Sequence, residues 1–133
     1  MHLLDTNTCI QFLRRKNLLV MQRIQSRRPD ELRLCSVVVE ELFYGAFKSP
    51  YQAANLALLA TFLPNFLSLP FDDAAARESG RIRVDLEARG LPIGSHDLQI
   101  AAIAIVNGTT LVTHNTQEFG RVPNLLIEDW EIP

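Results

Sequence analysis

Three acidic residues lie in apolar segments of the sequence, where a charged side chain is unexpected. Asp5 directly follows a short apolar segment, Glu41 lies among Val, Leu, Phe and Tyr, and Asp97 opens a long apolar run. A buried carboxylate is costly unless it is compensated, and carboxylates that meet raise one another's pKa unless they share a cation. No His or Cys cluster accompanies them, so these oxygen ligands favour Mg²⁺ or Mn²⁺ over zinc. The three acids together therefore indicate a metal site.

Each acid also has an ordinary structural explanation. Asp5 could cap the first helix, and Asp97 could interact with the positive end of a helix dipole. Glu41 could face solvent, with Glu40 as the inward residue. The residues alone leave these alternatives open, although the joint placement of the acids favours a shared site.

The pattern of apolar residues predicts the elements that would position these acids. Strands are predicted at residues 1–5, 32–35, 66–69, 110–113 and 125–127. Helices are predicted at about 6–15, 18–27, 37–47, 51–62, 73–88 and 96–106, with caps at Thr6 or Asn7, Ser36, Asp72 or Asp73, and Ser95. Gly90 is expected to close the fifth helix in a left-handed conformation. This alternation predicts one α/β domain over residues 1–133, with a central, mainly parallel sheet flanked by several helices.

Composition limits the class of protein further. The chain has 133 residues, 47% hydrophobic and 21% charged, as a single globular domain does. No apolar run approaches the roughly 20 residues of a membrane span, and no signal peptide is evident. Cys9 and Cys35 lack metal-ligand spacing, so we expect reduced core thiols in a cytoplasmic protein, with a disulfide left open.

The charge pattern bears on nucleic-acid binding. A net charge of −2 disfavours broad, non-specific coating of nucleic acid. Basic residues are nevertheless concentrated near the N-terminus, at Arg14, Arg15, Lys16, Arg23, Arg27, Arg28 and Arg33. They could form a solvated helix face or a patch that contacts phosphates.

Five segments in order carry a resemblance over the whole chain. They are Leu-Leu-Asp-Thr-Asn at 3–7, Ser-Val-Val-Val-Glu-Glu-Leu-Phe-Tyr-Gly at 36–45, Ile-Gly-Ser-His-Asp-Leu-Gln-Ile-Ala-Ala at 93–102, Leu-Val-Thr-His-Asn-Thr-Gln-Glu-Phe at 111–119, and Val-Pro-Asn-Leu-Leu-Ile-Glu-Asp-Trp at 122–130. Together they resemble the PIN-domain ribonucleases, and among these the VapC-type toxins of bacterial toxin–antitoxin pairs.

The resemblance implies a set of site residues. Asp5, Glu41 and Asp97 match the metal-binding acids of the family, with Glu41 rather than Glu40 because it directly precedes the Leu of the Glu-Leu-Phe-Tyr-Gly stretch. The fourth family position, often Asp, is Asn115 here, and the nearby Glu118 is the alternative ligand. Supporting roles are expected for Thr6, Asn7 and Thr113, and a general acid role is conceivable for His96 or His114.

The resemblance also implies an activity and partners. The expected function is a Mg²⁺-dependent endoribonuclease, with Mn²⁺ as a possible substitute, that cleaves structured RNA such as a tRNA or an rRNA loop and inhibits translation. Expected partners are a second copy of the chain and an antitoxin that blocks the active site and carries the pair to operator DNA. Candidate contacts to the RNA backbone are Arg14, Arg15, Lys16, Arg27 and Arg28. The alternatives are a PIN nuclease of RNA maturation or decay, and a PIN-like module that mainly binds operator DNA with its antitoxin.

Overall fold

The computed structural model describes all 133 residues. The five strands are β1 (His2–Leu4), β2 (Leu32–Cys35), β3 (Leu67–Leu69), β4 (Thr110–Val112) and β5 (Ile127–Glu128). The seven helices are α1 (Thr6–Leu13), α2 (Leu18–Gln25), α3 (Ser36–Lys48), α4 (Gln52–Phe62), α5 (Asp73–Ala88), α6 (Ser95–Val106) and α7 (Thr116–Phe119). Two single turns of 3₁₀ helix, Pro29–Glu31 and Leu63–Asn65, precede β2 and β3.

The strands form one sheet in the order β3-β2-β1-β4-β5. All four pairings are parallel, so the expected mainly parallel α/β sheet is confirmed and is parallel throughout. The chain leaves β1 toward β2 and β3 and later returns to the other side of β1 with β4 and β5. This reversal places the topological switch point between β1 and β4. Open α/β sheets bind ligands at that point, outside the carboxyl ends of the strands.

A continuous apolar core holds the sheet and its helices together. Leu3 and Leu4 of β1 and Leu111 and Val112 of β4 are fully buried. The helix α6 is buried on nearly all sides, as its apolar sequence predicts, and packs against α5. Because α6 lies inside the fold, the first turn of α6 has a fixed position relative to the strands.

Helix ends differ from the predicted caps at three places. The cap of α1 is Asp5 rather than Thr6 or Asn7, because Asp5 is the extended residue and its Oδ1 accepts a hydrogen bond from the Thr8 backbone N–H at 2.8 Å. Ser36 lies inside α3, and its hydroxyl accepts a bond from the backbone N–H of Phe71. Gly94 precedes α6, and Ser95 makes no capping bond.

Other local predictions are confirmed. Asp72 caps the N-terminus of α5. Gly90 lies just beyond the C-terminal end of this helix and has a φ of +68°. The N–H of Leu91 returns to the carbonyl of Leu86, which completes a Schellman motif that requires the left-handed residue. Cys9 and Cys35 are buried free thiols, and burial raises the pKa of Cys35 to about 11. No helix is both long enough and apolar enough to cross a membrane.

The last part of the chain departs most from the predicted elements. The final strand is Ile127–Glu128 rather than residues 125–127, and the short helix α7 is not predicted. The backbone N–H of Thr113 donates to the carbonyl of Glu128, so β5 continues to support the chain just beyond β4. This contact fixes the start of the segment that carries Asn115 and Glu118.

Candidate active site

Asp5 lies directly after the central strand β1, at the carboxyl edge of the sheet. It is only 6% exposed, and its carboxylate caps α1. Burial is the main cause that raises the pKa of Asp5; hydrogen bonds from Thr113 and Thr8 oppose the rise, and the nearby charge of Glu41 adds to it. The cap explanation for Asp5 is therefore correct, but a cap alone does not account for the second carboxylate beside it.

Glu41 reaches the same edge from the second turn of α3. Its Oε1 accepts a hydrogen bond of 2.5 Å from the hydroxyl of Thr6. Its Oε2 lies 3.4 Å from Nδ1 of His96, and Oε2 of Glu40 lies 4.0 Å from the other ring nitrogen. Glu41 is partly buried and Glu40 is exposed, so Glu41 is the inward acid of the pair, as the motif predicts.

Asp97 stands in the first turn of α6 and interacts with acids from three other segments. The pKa of Asp97 is raised to about 6; burial is the largest cause, and a hydrogen bond with Glu118 and the charges of Glu118, Glu41 and Asp5 act in the same direction. Four carboxylates from four separate parts of the chain therefore influence one another at this edge. No Lys or Arg contributes to the pKa shift of Asp5 or of Asp97.

The segment after β4 brings Asn115 and Glu118 together. Nδ2 of Asn115 donates to Oε2 of Glu118 at 3.1 Å, and the backbone N–H of Asn115 donates to Oγ1 of Thr113 at 3.0 Å. Because α7 places Glu118 one turn after Asn115, the amide group of Asn115 holds the carboxylate that meets Asp97. Asn7 is exposed in the first turn of α1 and makes no side-chain hydrogen bond.

The four acids are spread more widely than the ligands of one tight site. The one group of three His, Cys, Asp or Glu side chains whose ligand atoms all lie within 4.8 Å is His114, Asp129 and Glu131. In that group, Nδ1 of His114 lies 2.9 Å from Oδ2 of Asp129, and this hydrogen bond is the main cause that raises the pKa of His114. No three of Asp5, Glu41, Asp97 and Glu118 meet this distance.

The basic residues occupy two regions. Arg14, Arg15 and Lys16 follow the end of α1 and are exposed. Arg27 lies 4.3 Å above the ring of Trp130, and Arg28 pairs with Asp30 and Glu31. The 3₁₀ turn that contains those two acids leads into β2, at the amino edge of the sheet, opposite to the carboxylates.

Two features of this region were not recognised from the sequence. The Thr6–Glu41 bond joins residues 35 positions apart, and nothing in local spacing indicates it. Tyr44 lines a cleft that also contains Glu41 and His96. The spacing of 41 and 44 on one helix face was an available signal for this second feature.

Comparison with known proteins places this geometry in a family. The family model described as the PIN domain matches residues 2–125. The tRNA(fMet)-specific endonuclease VapC of Shigella flexneri is 40% identical over 128 residues, and that of Salmonella typhimurium is 38% identical, with 96% of each chain covered in both cases. A crystal structure of VapBC2 from Rickettsia felis, bound to a DNA fragment from their promoter, has a TM-score of 0.90 at 34% identity, covering 97% of this chain and 98% of that chain. The chain belongs to the PIN-domain family, and within that family to the VapC ribonucleases.

Proposed function

We propose that this chain is a metal-dependent endoribonuclease that acts as the toxin of a toxin–antitoxin pair, hydrolyses phosphodiester bonds in structured RNA and thereby inhibits translation. The observation that carries the proposal is the environment of Asp97, whose pKa is raised to about 6 by burial and by three other acids. A carboxylate in this environment is unfavourable in its ionised form unless a cation joins it. A folded chain retains such an arrangement for chemistry rather than for stability.

The donor set fits a hard divalent cation. Asp5, Glu41, Asp97 and Glu118 offer carboxylate oxygens alone, which suit Mg²⁺ or Mn²⁺. Glu118 is the proposed fourth ligand, because its carboxylate meets Asp97 while the amide nitrogen of Asn115 is turned toward Glu118. Mg²⁺ held by these residues would supply charge neutralisation at the phosphate and a bound water of lowered pKa.

The remaining polar side chains hold the acids in position. The hydroxyl of Thr6 fixes Glu41, while Thr8 and Thr113 hold Asp5. Asn115 holds Glu118 through its side chain and is itself fixed to Thr113 through its backbone. These residues orient the carboxylates before RNA binds, which is how outer contacts tune a metal site.

We propose a tRNA as the substrate, because the two relatives at 38% and 40% identity bear the name tRNA(fMet)-specific endonuclease. Sequence-specific RNA recognition targets exposed loops, whose bases can be splayed out. Arg14, Arg15 and Lys16 are the proposed backbone contacts, because they are exposed and take part in none of the salt bridges of the chain. Arg27 and Arg28 already have partners, at Trp130 and at Asp30 and Glu31, so any contact they make to RNA must compete with these.

An apolar groove next to the site is the proposed place of the antitoxin. The groove runs between α1, α3 and α4, and is lined by Ile10, Leu13, Arg14, Glu41, Leu42, Gly45, Ala46, Asn55, Leu58 and Leu59. Its walls are apolar and it contains the candidate ligand Glu41, so it suits an amphipathic segment that carries a cationic side chain toward the carboxylates. A Cβ built on Gly45 would meet no atom within 4 Å, so this part of α3 is open to a partner.

The same proposal includes a homodimer, a cytoplasmic location, and contact with operator DNA through the antitoxin. The structural relative from Rickettsia felis was crystallised with promoter DNA, which supports the last point. A module that only binds DNA is the less favoured alternative. Such a module has no need for four acids at one edge of its sheet.

The direct test is RNA cleavage by the purified chain, with Mg²⁺ and with EDTA. We expect cleavage with Mg²⁺ and none with EDTA. The variants Asp5→Asn and Asp97→Asn should lose cleavage while their circular dichroism spectra stay unchanged. Asp30→Asn is the matched control, since Asp30 is an exposed acid at the opposite edge of the sheet. Full cleavage by both site variants, or equal cleavage in EDTA, would disprove the proposal.

A further inference from the structure

A second cleft lies beside the candidate metal ligands. It has a volume of about 380 Å³ and is lined by Thr6, Glu40, Glu41, Tyr44, Gly45 and His96. Clefts of roughly 300 Å³ and more are large enough for small ligands. Since Thr6 and Glu41 belong to the candidate active site, whatever occupies this cleft lies next to the reacting phosphate.

Tyr44 is the one Phe, Tyr or Trp side chain of this cleft, which also contains the imidazole of His96. It follows Glu41 by three residues on α3, and the tyrosine is 59% exposed. Its ring contacts no other aromatic ring, whereas Phe43 and Phe47 on the same helix stack on each other. Nζ of Lys48 lies 5.5 Å from the centre of the Tyr44 ring, so a positive charge of the kind that attracts an RNA backbone accompanies the aromatic surface.

The residue after Tyr44 keeps the cleft open. Gly45 stands in the interior of α3, where glycine destabilises a helix relative to alanine. No atom lies within 4 Å of the position that its Cβ would take, so packing within this chain does not require the glycine. The absence of a side chain leaves room beside Tyr44 for a flat group from another molecule.

We propose that Tyr44 stacks on a nucleobase of the RNA substrate, one that flanks the phosphate to be cleaved. This inference rests on the proposed ribonuclease function and adds a substrate-contacting residue to it. Unpaired RNA bases are recognised by stacking on aromatic side chains, and such stacking tolerates any base because each has a π-face. An exposed tyrosine beside a phosphate-hydrolysing site is suited to this role.

The other walls of the cleft favour some bases over others. Glu40 precedes Tyr44 by four residues, so both side chains lie on one face of α3. Ionised carboxylates only accept hydrogen bonds, and Glu pairs with the exocyclic amino group of cytosine. The cleft therefore prefers a base that presents an exocyclic amino group, as cytosine, adenine and guanine do, over uracil, whose one N–H donor is at the ring position N3.

The test begins by mapping the cleavage site in a tRNA with the wild-type chain. Cleavage rates are then measured for Tyr44→Ala, Tyr44→Phe and Tyr44→Trp. We expect Tyr44→Ala to lose about tenfold to a hundredfold in kcat/KM, mainly through KM, and both aromatic variants to keep most of it. Phe47→Ala and Tyr51→Ala are matched controls, since both residues are exposed aromatics outside this cleft, and both should cleave normally.

A binding experiment tests stacking without cleavage. In an Asp97→Asn background, 2-aminopurine placed next to the mapped site should lose fluorescence on binding with Tyr44 and keep it with Tyr44→Ala.

Substitution of that base by uracil should weaken cleavage by the wild-type chain, and Glu40→Gln should reduce this discrimination.

The outcomes separate this inference from the function on which it rests. If Tyr44→Ala cleaves like the wild type, or if Tyr44→Phe is as defective as Tyr44→Ala, the stacking role is wrong while the ribonuclease function stands. Loss of antitoxin binding alone in Tyr44→Ala would likewise overturn it. If the wild-type chain cleaves no tRNA, both the substrate proposal and the stacking role fail.

Discussion

The hydroxyl of Thr6 donates a hydrogen bond of 2.5 Å to Oε1 of Glu41, and thereby joins the first turn of α1 to α3. Thr6 directly follows Asp5 in the chain. The orientation of the second candidate ligand is therefore set by the neighbour of the first. This arrangement couples two acids that the sequence separates by 35 intervening residues.

Removal of this hydroxyl should impair catalysis more than folding. We expect Thr6→Val to lower RNA cleavage by about 10- to 100-fold, the usual cost of an outer contact to a metal ligand. Thr6→Ser, which keeps the hydroxyl, should retain most of the activity. The measurements are kcat for RNA cleavage and the affinity for Mn²⁺; equal values for Thr6→Val and the wild type would show that the bond has no role in positioning Glu41.

Asp5 combines a structural role with a proposed catalytic one, and two substitutions separate them. Asparagine caps helices about as well as aspartate, so Asp5→Asn should keep the stability of the fold and lose cleavage. Asp5→Ala also removes the bond to the Thr8 N–H and should cost about 1 kcal/mol more in the free energy of unfolding. Urea denaturation of the two variants beside a cleavage assay makes the comparison. Cleavage by Asp5→Asn at the wild-type rate would show that Asp5 acts only as a helix cap and not as a catalytic residue.

The raised pKa of Asp97 predicts how stability depends on pH in the absence of metal. The ordinary pKa of 3.8 rises to about 6 in the folded chain, so the protonated form is favoured by folding. Its contribution to stability is complete below about pH 4 and is lost as the pH rises through about 6. Because Asp97 is only half-buried, solvent screening reduces the effect to about 1 kcal/mol.

Asp97→Asn should therefore stabilise the metal-free chain at pH 7.5 while it abolishes cleavage. Thermal melting in EDTA at pH 4.5 and pH 7.5 measures this, and the gain over the wild type should be larger at the higher pH. Addition of Mg²⁺ should raise the melting temperature of the wild type and leave the variant unchanged. A variant that is less stable than the wild type at both values of pH would argue that Asp97 has an ordinary structural role.

Much of the fold could be predicted from the sequence because its signals are local. The apolar runs at Leu3 and at Leu111 mark buried strands, and Gly90 marks the end of α5. The predicted caps of α1 and α6 lie one or two residues after the observed caps, Asp5 and Gly94, because the neighbouring Thr, Asn and Ser offer equally suitable side chains. The helix α7 has four residues, too few to show a period.

The site was less accessible to local reasoning. The placement of Asp5, Glu41 and Asp97 favours a shared metal site, and the resemblance to a family identifies these three acids as its ligands. The contact between Glu118 and Asp97 depends on how α7 turns after β4, which no short pattern encodes. The Thr6–Glu41 bond likewise depends on how α1 and α3 pack together.

The contact of Asn115 with Glu118 predicts unequal roles for these two residues. Glu118→Gln removes the carboxylate that meets Asp97 and should lower cleavage by more than 100-fold, whereas Asn115→Ala only releases that carboxylate and should cost about tenfold. Parallel cleavage assays of the two variants at saturating Mg²⁺ show which of the two residues matters more for catalysis. The reverse order of defects would make Asn115 the fourth ligand and Glu118 its support.

The apolar groove between α1, α3 and α4 predicts a separation of toxicity from neutralisation. Leu58 lines the groove and is 49% exposed, so Leu58→Lys should change the free energy of unfolding by no more than about 0.5 kcal/mol and leave RNA cleavage intact. A lysine there places a charge against the apolar face of the partner, so we expect at least a tenfold loss of antitoxin affinity. Val84→Lys is the matched control, since Val84 is an exposed apolar residue on α5 outside the groove. Growth on co-expression with the antitoxin should stop for Leu58→Lys and continue for Val84→Lys. Continued growth of both strains, with cleavage by Leu58→Lys intact in vitro, would place the antitoxin elsewhere on the chain.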